Sequence, residues 1–283
     1  MEKKKKTCFL VVWLLITGAF LAGSLLVPGQ GKSESVQEAM RDAVLHGTNR
    51  VSLFGLKEVN PAYISSLVVV GALLLAALLL RIFVIPRFRM VPGKLQLALE
   101  TVVGMFDGMA RGNSPHRYKF LGAYAFGAGV YIFVGTLFEL FGFQAVTTNG
   151  SIITLPAPLS DVNAAISLGC LSYLVIMGGG ILGNGVKGLG KTLKDFSLPI
   201  SMSFRMFGAL LSGLLVTELV YYYVTLSYVI PVIVAVLFTL LHALIQAYVL
   251  TMLTTLFYGE VSEKQAGKPK KNRKGKTVET VNH

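Results

Sequence analysis

Charge is scarce in this chain. Only 14% of its 283 residues are Asp, Glu, Lys or Arg, against about a quarter in soluble domains. Hydrophobic residues make up 53%, and the mean hydropathy is +0.65. That balance excludes an ordinary soluble domain and points to a polytopic membrane protein. Cysteine is scarcer still: Cys8 and Cys170 both sit in apolar runs, which argues against a disulfide framework or a redox pair. The four histidines, His46, His116, His242 and His283, are too dispersed for a metal site. No glycine-rich loop leads into Lys and Ser or Thr to cradle a phosphate, and no nucleophile constellation is present. The chain is therefore expected to do no bond chemistry alone and to need no cofactor.

Positive charge is what the chain has in excess, with 26 Lys and Arg against 14 Asp and Glu. Nucleic acid is one reading of a net charge of +12, but the placement of the basic residues argues against it. Twenty-one of the 26 fall in four places: Lys3 to Lys6, Arg81 to Lys119, Lys187 to Lys194 and Lys264 to Lys276. If the apolar segments between them are spans, all four lie on one side, and basic residues in short loops mark the cytoplasm. Lys32, Arg41, Arg50 and Lys57 fall in the segment expected outside, and Arg205 is the last of the set. The stretch Lys268 to Lys276 reads as a solvated basic tail, with anionic lipid head groups as its other candidate role.

The hydrophobic pattern predicts an all-α protein of about five membrane helices plus one amphipathic surface helix. Residues 1–27 combine four lysines with a short apolar run, which fits either a cleaved signal or a first span, and residues 28–60 form a polar segment outside. The membrane domain covers residues 61–262, and residues 263–283 are the cytoplasmic tail. A span from about Ala62 to Ile85 ends among Arg81, Arg87 and Arg89. Val91 to Asp107 opens on Pro-Gly and then repeats apolar residues at helical spacing, so it reads as a helix on the cytoplasmic surface with Glu100 and Asp107 outward. A second span from about Phe120 to Phe143 carries Glu139 near its outer end, and the loop Gln144 to Ser160 has no basic residue. Asp161 is placed to cap the next span, about Ala164 to Leu182, which Gly178-Gly-Gly180 should weaken or break. After the basic loop Gly183 to Asp195 come two long stretches, about Leu198 to Val224 and Val229 to Tyr258, with a turn near Ser227. Both exceed the ~20 residues that cross a bilayer upright, so both are expected to be strongly tilted.

Polar groups inside the last two stretches carry the functional signal. Arg205 has mostly apolar and small neighbours on both sides. A central arginine costs about 2.5 to 3.5 kcal/mol even on lenient insertion scales, so it marks a site by default. Gly208, Ser212 and Gly213 beside it are small enough for another surface to come close. Counted from the turn, Glu218 and His242 fall at similar depth, which suits either a proton-exchanging pair or a hydrogen bond that fixes packing. Gln246 projects from the same face as His242 by the i, i+4 rule.

Four motifs, in order and on one topology, then resemble subunit a of the F-type ATP synthase. Ser203-Phe-Arg-Met-Phe-Gly208 is similar to that family's arginine signature, and Leu244-Ile-Gln-Ala-Tyr248 with Thr251-Met-Leu-Thr254 to its last-helix signature. Val91-Pro-Gly-Lys-Leu-Gln96 with Glu100 resembles its surface helix, and Ser160-Asp-Val-Asn163 the start of its following span. The resemblance runs from about Ala62 to Glu263. It departs at Ala209, where the family commonly has Asn, and at Leu214, where an acid is frequent and Glu218 stands one turn later. Thr239 likewise stands where the family often has an imidazole or carboxylate, with His242 one turn before Gln246.

The resemblance implies a stator that holds two offset aqueous half-channels against a rotating ring of c subunits, each with a membrane carboxylate. Arg205 would attract the deprotonated carboxylate, lower its pKa and block a direct leak between half-channels. Gln246, Glu218 and His242 would serve ion translocation, Asp161, Asn163 and Glu139 a half-channel, and Gly208, Ser212 and Gly213 the close passage of the ring. Peripheral-stalk b subunits and membrane lipid are the other implied partners, and the setting is a bacterial inner membrane with the C-terminus in the cytoplasm. The alternative is a stand-alone secondary transporter or channel with an intramembrane arginine. It predicts inverted repeats, and none is visible in the sequence.

Overall fold

The computed structural model describes residues 11–16, 18–19, 22, 51–53, 56–146, 152–222 and 230–263. Most of the signal-like segment and of the external polar segment lies outside that set, as do the turn near Ser227 and the basic tail. Residues 11–16 are helical.

A short antiparallel pair, β1 (Val51–Leu53) and β2 (Leu56–Val59), leads into α1 (Pro61–Leu79). The start of α1 is set by chemistry: Pro61 occupies the first turn, where its missing N–H costs nothing, and the Asn60 side chain accepts from the Ala62 N–H at 2.9 Å. The helix continues through a π turn at Leu80–Val84 and a 3-10 turn at Ile85–Arg87. It is exposed along nearly all its length, touching α3 and the 3-10 turn Pro158–Ser160.

The expected surface helix is α2 (Lys94–Asn113). Gln96 anchors its start by accepting from Arg89 N and donating to Arg89 O, at 3.0 and 2.9 Å. Glu100 is exposed as expected, whereas Asp107 is half-buried beside Phe106 and Ala110, which pack inward against α3 and α6. The next span, α3 (Tyr118–Leu137), ends in a 3-10 turn at Phe138–Phe141 that carries Glu139. Gly142, at φ +61°, then releases the chain into a hairpin of β3 (Gln144–Val146) and β4 (Ile152–Thr154).

The fourth helix departs from expectation. α4 (Val162–Lys194) runs unbroken through Gly178, Gly179 and Gly180, and the break falls at Gly185, with φ +61° and ψ −141°. That backbone conformation is essentially confined to glycine. The stretch expected as a basic loop is therefore helical and folds back on the first part of α4: Tyr173 Oη donates to Thr192 O at 2.9 Å. Gly180 and Gly188 meet there so closely that a β-carbon on Gly180 would come within 3.1 Å of the Gly188 carbonyl oxygen. Two of the three glycines thus serve close packing, since a β-carbon on Gly179 would fall 2.5 Å from the ring of Tyr258, whereas one on Gly178 would meet nothing within 4 Å.

Two long helices complete the chain, α5 (Ser197–Tyr222) and α6 (Ile230–Ser262). The 33 residues of α6 span about 50 Å at 1.5 Å per residue, well beyond a hydrocarbon core of about 30 Å. α3 and α4 both pack along α6, and α5 packs on α4 and α6. Leu121, Ile132, Leu159, Ile176, Met206 and Leu250 form the buried core between them. Among the described residues, four segments are long and apolar enough to cross a membrane: Pro61–Arg87, Tyr118–Phe141, Val162–Lys194 and Val232–Ser262. The protein is an all-α polytopic membrane protein.

Candidate functional site

α5 has two unlike faces, and the difference places Arg205. Met202, Ser203, Met206 and Leu210 are buried against the bundle. Ser201, Arg205, Gly208 and Ser212, at i, i+4, i+7 and i+11, form one exposed stripe. A β-carbon added at Gly208 would meet nothing within 4 Å. The neighbouring positions on α5 are oily: Ile200 and Phe204 are exposed. The two ion pairs among the described residues are Arg111 with Asp107 and Lys191 with Glu260, so Arg205 has no carboxylate partner there. A bare guanidinium on an apolar surface is costly in lipid and calls for water or a partner carboxylate.

The α6 side supports the backbone of Arg205 and leaves its charge alone. Gln246 is buried, and its amide Nε2 donates to the carbonyl oxygen of Arg205 at 3.4 Å. α4 fixes the same region from behind. Ser203 Oγ donates to Pro199 O at 2.7 Å, and Gly169 lies so close to it that a β-carbon there would stand 3.0 Å from the Pro199 carbonyl oxygen. Sequence reasoning missed Gly169, because an isolated glycine in an apolar run carries no distinguishing signal.

His242 is half-buried, with Nδ1 2.8 Å from Phe238 O and its ring stacked on that of Phe238 at 5.8 Å. Its Nδ1 would lie 3.9 Å from a β-carbon at Gly213. Gly213 is therefore turned toward α6, apart from the exposed Gly208 and Ser212. Glu218 falls on the helical backbone of α5, but its side chain lies outside the described residues.

A second polar feature opens where α1 and α4 begin. Asp161 caps α4 through Oδ1, which accepts from Asn163 N at 2.7 Å and Ala164 N at 3.3 Å. Its Oδ2 accepts from Asn60 Nδ2 at 2.5 Å, so one carboxylate joins the starts of two helices. These residues line a cleft of about 510 Å³ with Asn163, Ser66, Tyr131 and Ser167. Ser66 Oγ and Tyr131 Oη are hydrogen-bonded across it at 3.0 Å. The expected pair Asp161 and Asn163 is thus brought together. Glu139 does not line the cleft; its turn packs against α6 instead. Asn60, Ser66, Tyr131 and Ser167 went unremarked in the sequence, although hydroxyls within apolar spans were the available signal.

Arg205 is thus exposed on a long helix, and its backbone is braced by a buried glutamine from the next. The family model described as ATP synthase A chain matches residues 64–259, and the chain belongs to that family. It is a subunit a of the F-type ATP synthase, a multi-pass component that assembles with other subunits in the membrane sector.

Proposed function

We propose that this chain is the fixed wall of two ion half-channels and couples proton translocation to rotary ATP synthesis, with Arg205 facing a ring of c subunits. The observation that carries this reading is the exposure of Arg205 on an oily surface without a carboxylate partner among the described residues. A passing c-subunit carboxylate would supply the missing charge, and the fixed guanidinium would favour its ionised form and release its proton. Gly208 and Ser212 keep that surface low, so the ring can approach closely.

The half-channels would draw on the other polar groups. The cleft at Asp161 and Asn163 has the volume and the hydroxyl lining to hold water, and Glu139, Glu218 and His242 are candidates for handing protons on toward the ring. Gln246 would act by holding the Arg205 backbone in register. The peripheral-stalk b subunits would bind elsewhere on the exposed helices. The basic segments and the C-terminus would face the cytoplasm of a bacterial inner membrane. The test is Arg205→Ala in the assembled complex: ion-driven ATP synthesis should vanish while the subunits still copurify. Normal synthesis would remove Arg205 from the mechanism.

A further inference from the structure

Between α2 and α3 the sequence His116-Arg-Tyr-Lys119 places three basic side chains in four residues. They line a separate cleft of about 450 Å³ with Phe120, Leu182 and Tyr258. Two of the basic groups are held from behind. Arg117 Nη2 donates to the carbonyl oxygen of Leu182 at 2.9 Å, three residues before the break in α4, and His116 Nε2 is 3.0 Å from Ser262 Oγ. Lys119 is exposed and belongs to neither ion pair among the described residues. No carboxylate lines the cleft. The nearby Asp107 is engaged by Arg111 at 2.7 Å, and that guanidinium covers the ring of Tyr118 at 4.4 Å.

The rest of the cleft is apolar. Phe120 is 61% exposed and Leu182 64% exposed, and Tyr258 closes the floor against Gly179. A cationic rim therefore sits over an oily trough at the ends of two membrane spans. We propose that this cleft binds one anionic glycerophospholipid, its phosphate on Arg117 and Lys119 and an acyl chain along Phe120 and Leu182. Charge and hydrophobicity are arranged here as in the lipid itself, with the anion at the surface and the chain below. Free phosphate would meet only the rim and gain nothing from the trough, so it would bind too weakly to displace the lipid. The proposal does not rest on the rotor reading, since none of these residues lies on the stripe of Arg205.

The test uses the whole complex in mild detergent, stripped of lipid and incubated with phosphatidylglycerol carrying a photoreactive group in its acyl chain. Labelling is expected on the peptides that contain Phe120 and Leu182. The Lys119→Gln variant should lower it by about five-fold, the scale of one basic group near an anionic head group. A phosphatidylcholine analogue should label weakly, and inorganic phosphate should not compete. Four results would overturn the proposal: equal labelling by phosphatidylcholine, loss of label on adding phosphate, an unchanged Lys119→Gln variant, or another subunit crosslinked to Phe120 in place of lipid. Arg117 is left intact because its bond to Leu182 supports the fold.

Discussion

His242 stands against Gly213, its Nδ1 3.9 Å from where a β-carbon would sit. Glu218 lies five residues farther along α5, about 7.5 Å at the helical rise. If the two hand on one proton, side-chain reach or water would have to bridge that rise. Glu218→Gln is therefore expected to slow proton-driven synthesis by about 10²-fold, the scale of losing a positioned proton-transfer group. His242→Ala should cost less, and Glu139→Gln least, since its turn packs against α6 away from the Asp161 cleft. Equal and negligible losses at Glu218 and Glu139, measured as proton uptake by membrane vesicles, would take Glu218 off the path.

Asp161 carries a structural load that can be separated from any role in transport. Replacing it with Ala removes the α4 cap and the bond to Asn60 together. A lost cap costs about 0.5 to 2 kcal/mol, so thermal unfolding in detergent should shift down by several degrees. Asp161→Asn keeps an acceptor for the cap and should shift it less. If transport falls equally in both variants while only the Ala variant unfolds early, the carboxylate itself serves the path.

Gly169 sets the register of α5 against α4. A β-carbon there would press on Ser203 Oγ and on the backbone at Pro199, and overpacking of this kind costs about 1 to 3 kcal/mol. Gly169→Ala should reduce synthesis without removing any polar group, and Ser203→Ala should restore part of it by clearing one of the two contacts. Wild-type synthesis in Gly169→Ala would show that α5 tolerates the shift.

The spans were legible in the sequence because long apolar runs bounded by basic loops have few other solutions. Asp161 marks a helix start by the same capping rule in sequence and structure, and Asn60 with Pro61 obeys it at α1, where the sequence reading passed over it. Arg205 stood out as a candidate for the same reason, a charge where none is cheap. What the sequence hid is tertiary. Any of Gly178, Gly179, Gly180 or Gly185 could have broken α4; the ring of Tyr258 and the carbonyl of Gly188 claim Gly179 and Gly180 for packing, and the reversal falls at Gly185. Counting from a turn likewise could not show that His242 stands against Gly213. Nor could spacing reveal that Gln246 meets the Arg205 backbone carbonyl.

Exposure predicts which residues reach the rotor. Ser212 is exposed on the Arg205 stripe, and Gly213 is turned toward His242. A cysteine at Ser212 should crosslink efficiently to cysteines on the outer c-ring helix, one at Gly213 less so, and cysteines in Ala62 to Ile85 hardly at all. Strong crosslinks from the latter span with silence at Ser212 would assign the rotor to a different face, and with it the inclined packing of α5 and α6.

Passive proton conductance through the membrane sector tests the central claim most directly. If Arg205 is the fixed charge that separates two half-channels, vesicles carrying Arg205→Ala should leak protons down an imposed gradient while making no ATP. Arg205→Lys should also fail to support synthesis, because a compact ammonium lacks the reach and fork of a guanidinium. Coupled synthesis with no added leak in Arg205→Ala would contradict the account.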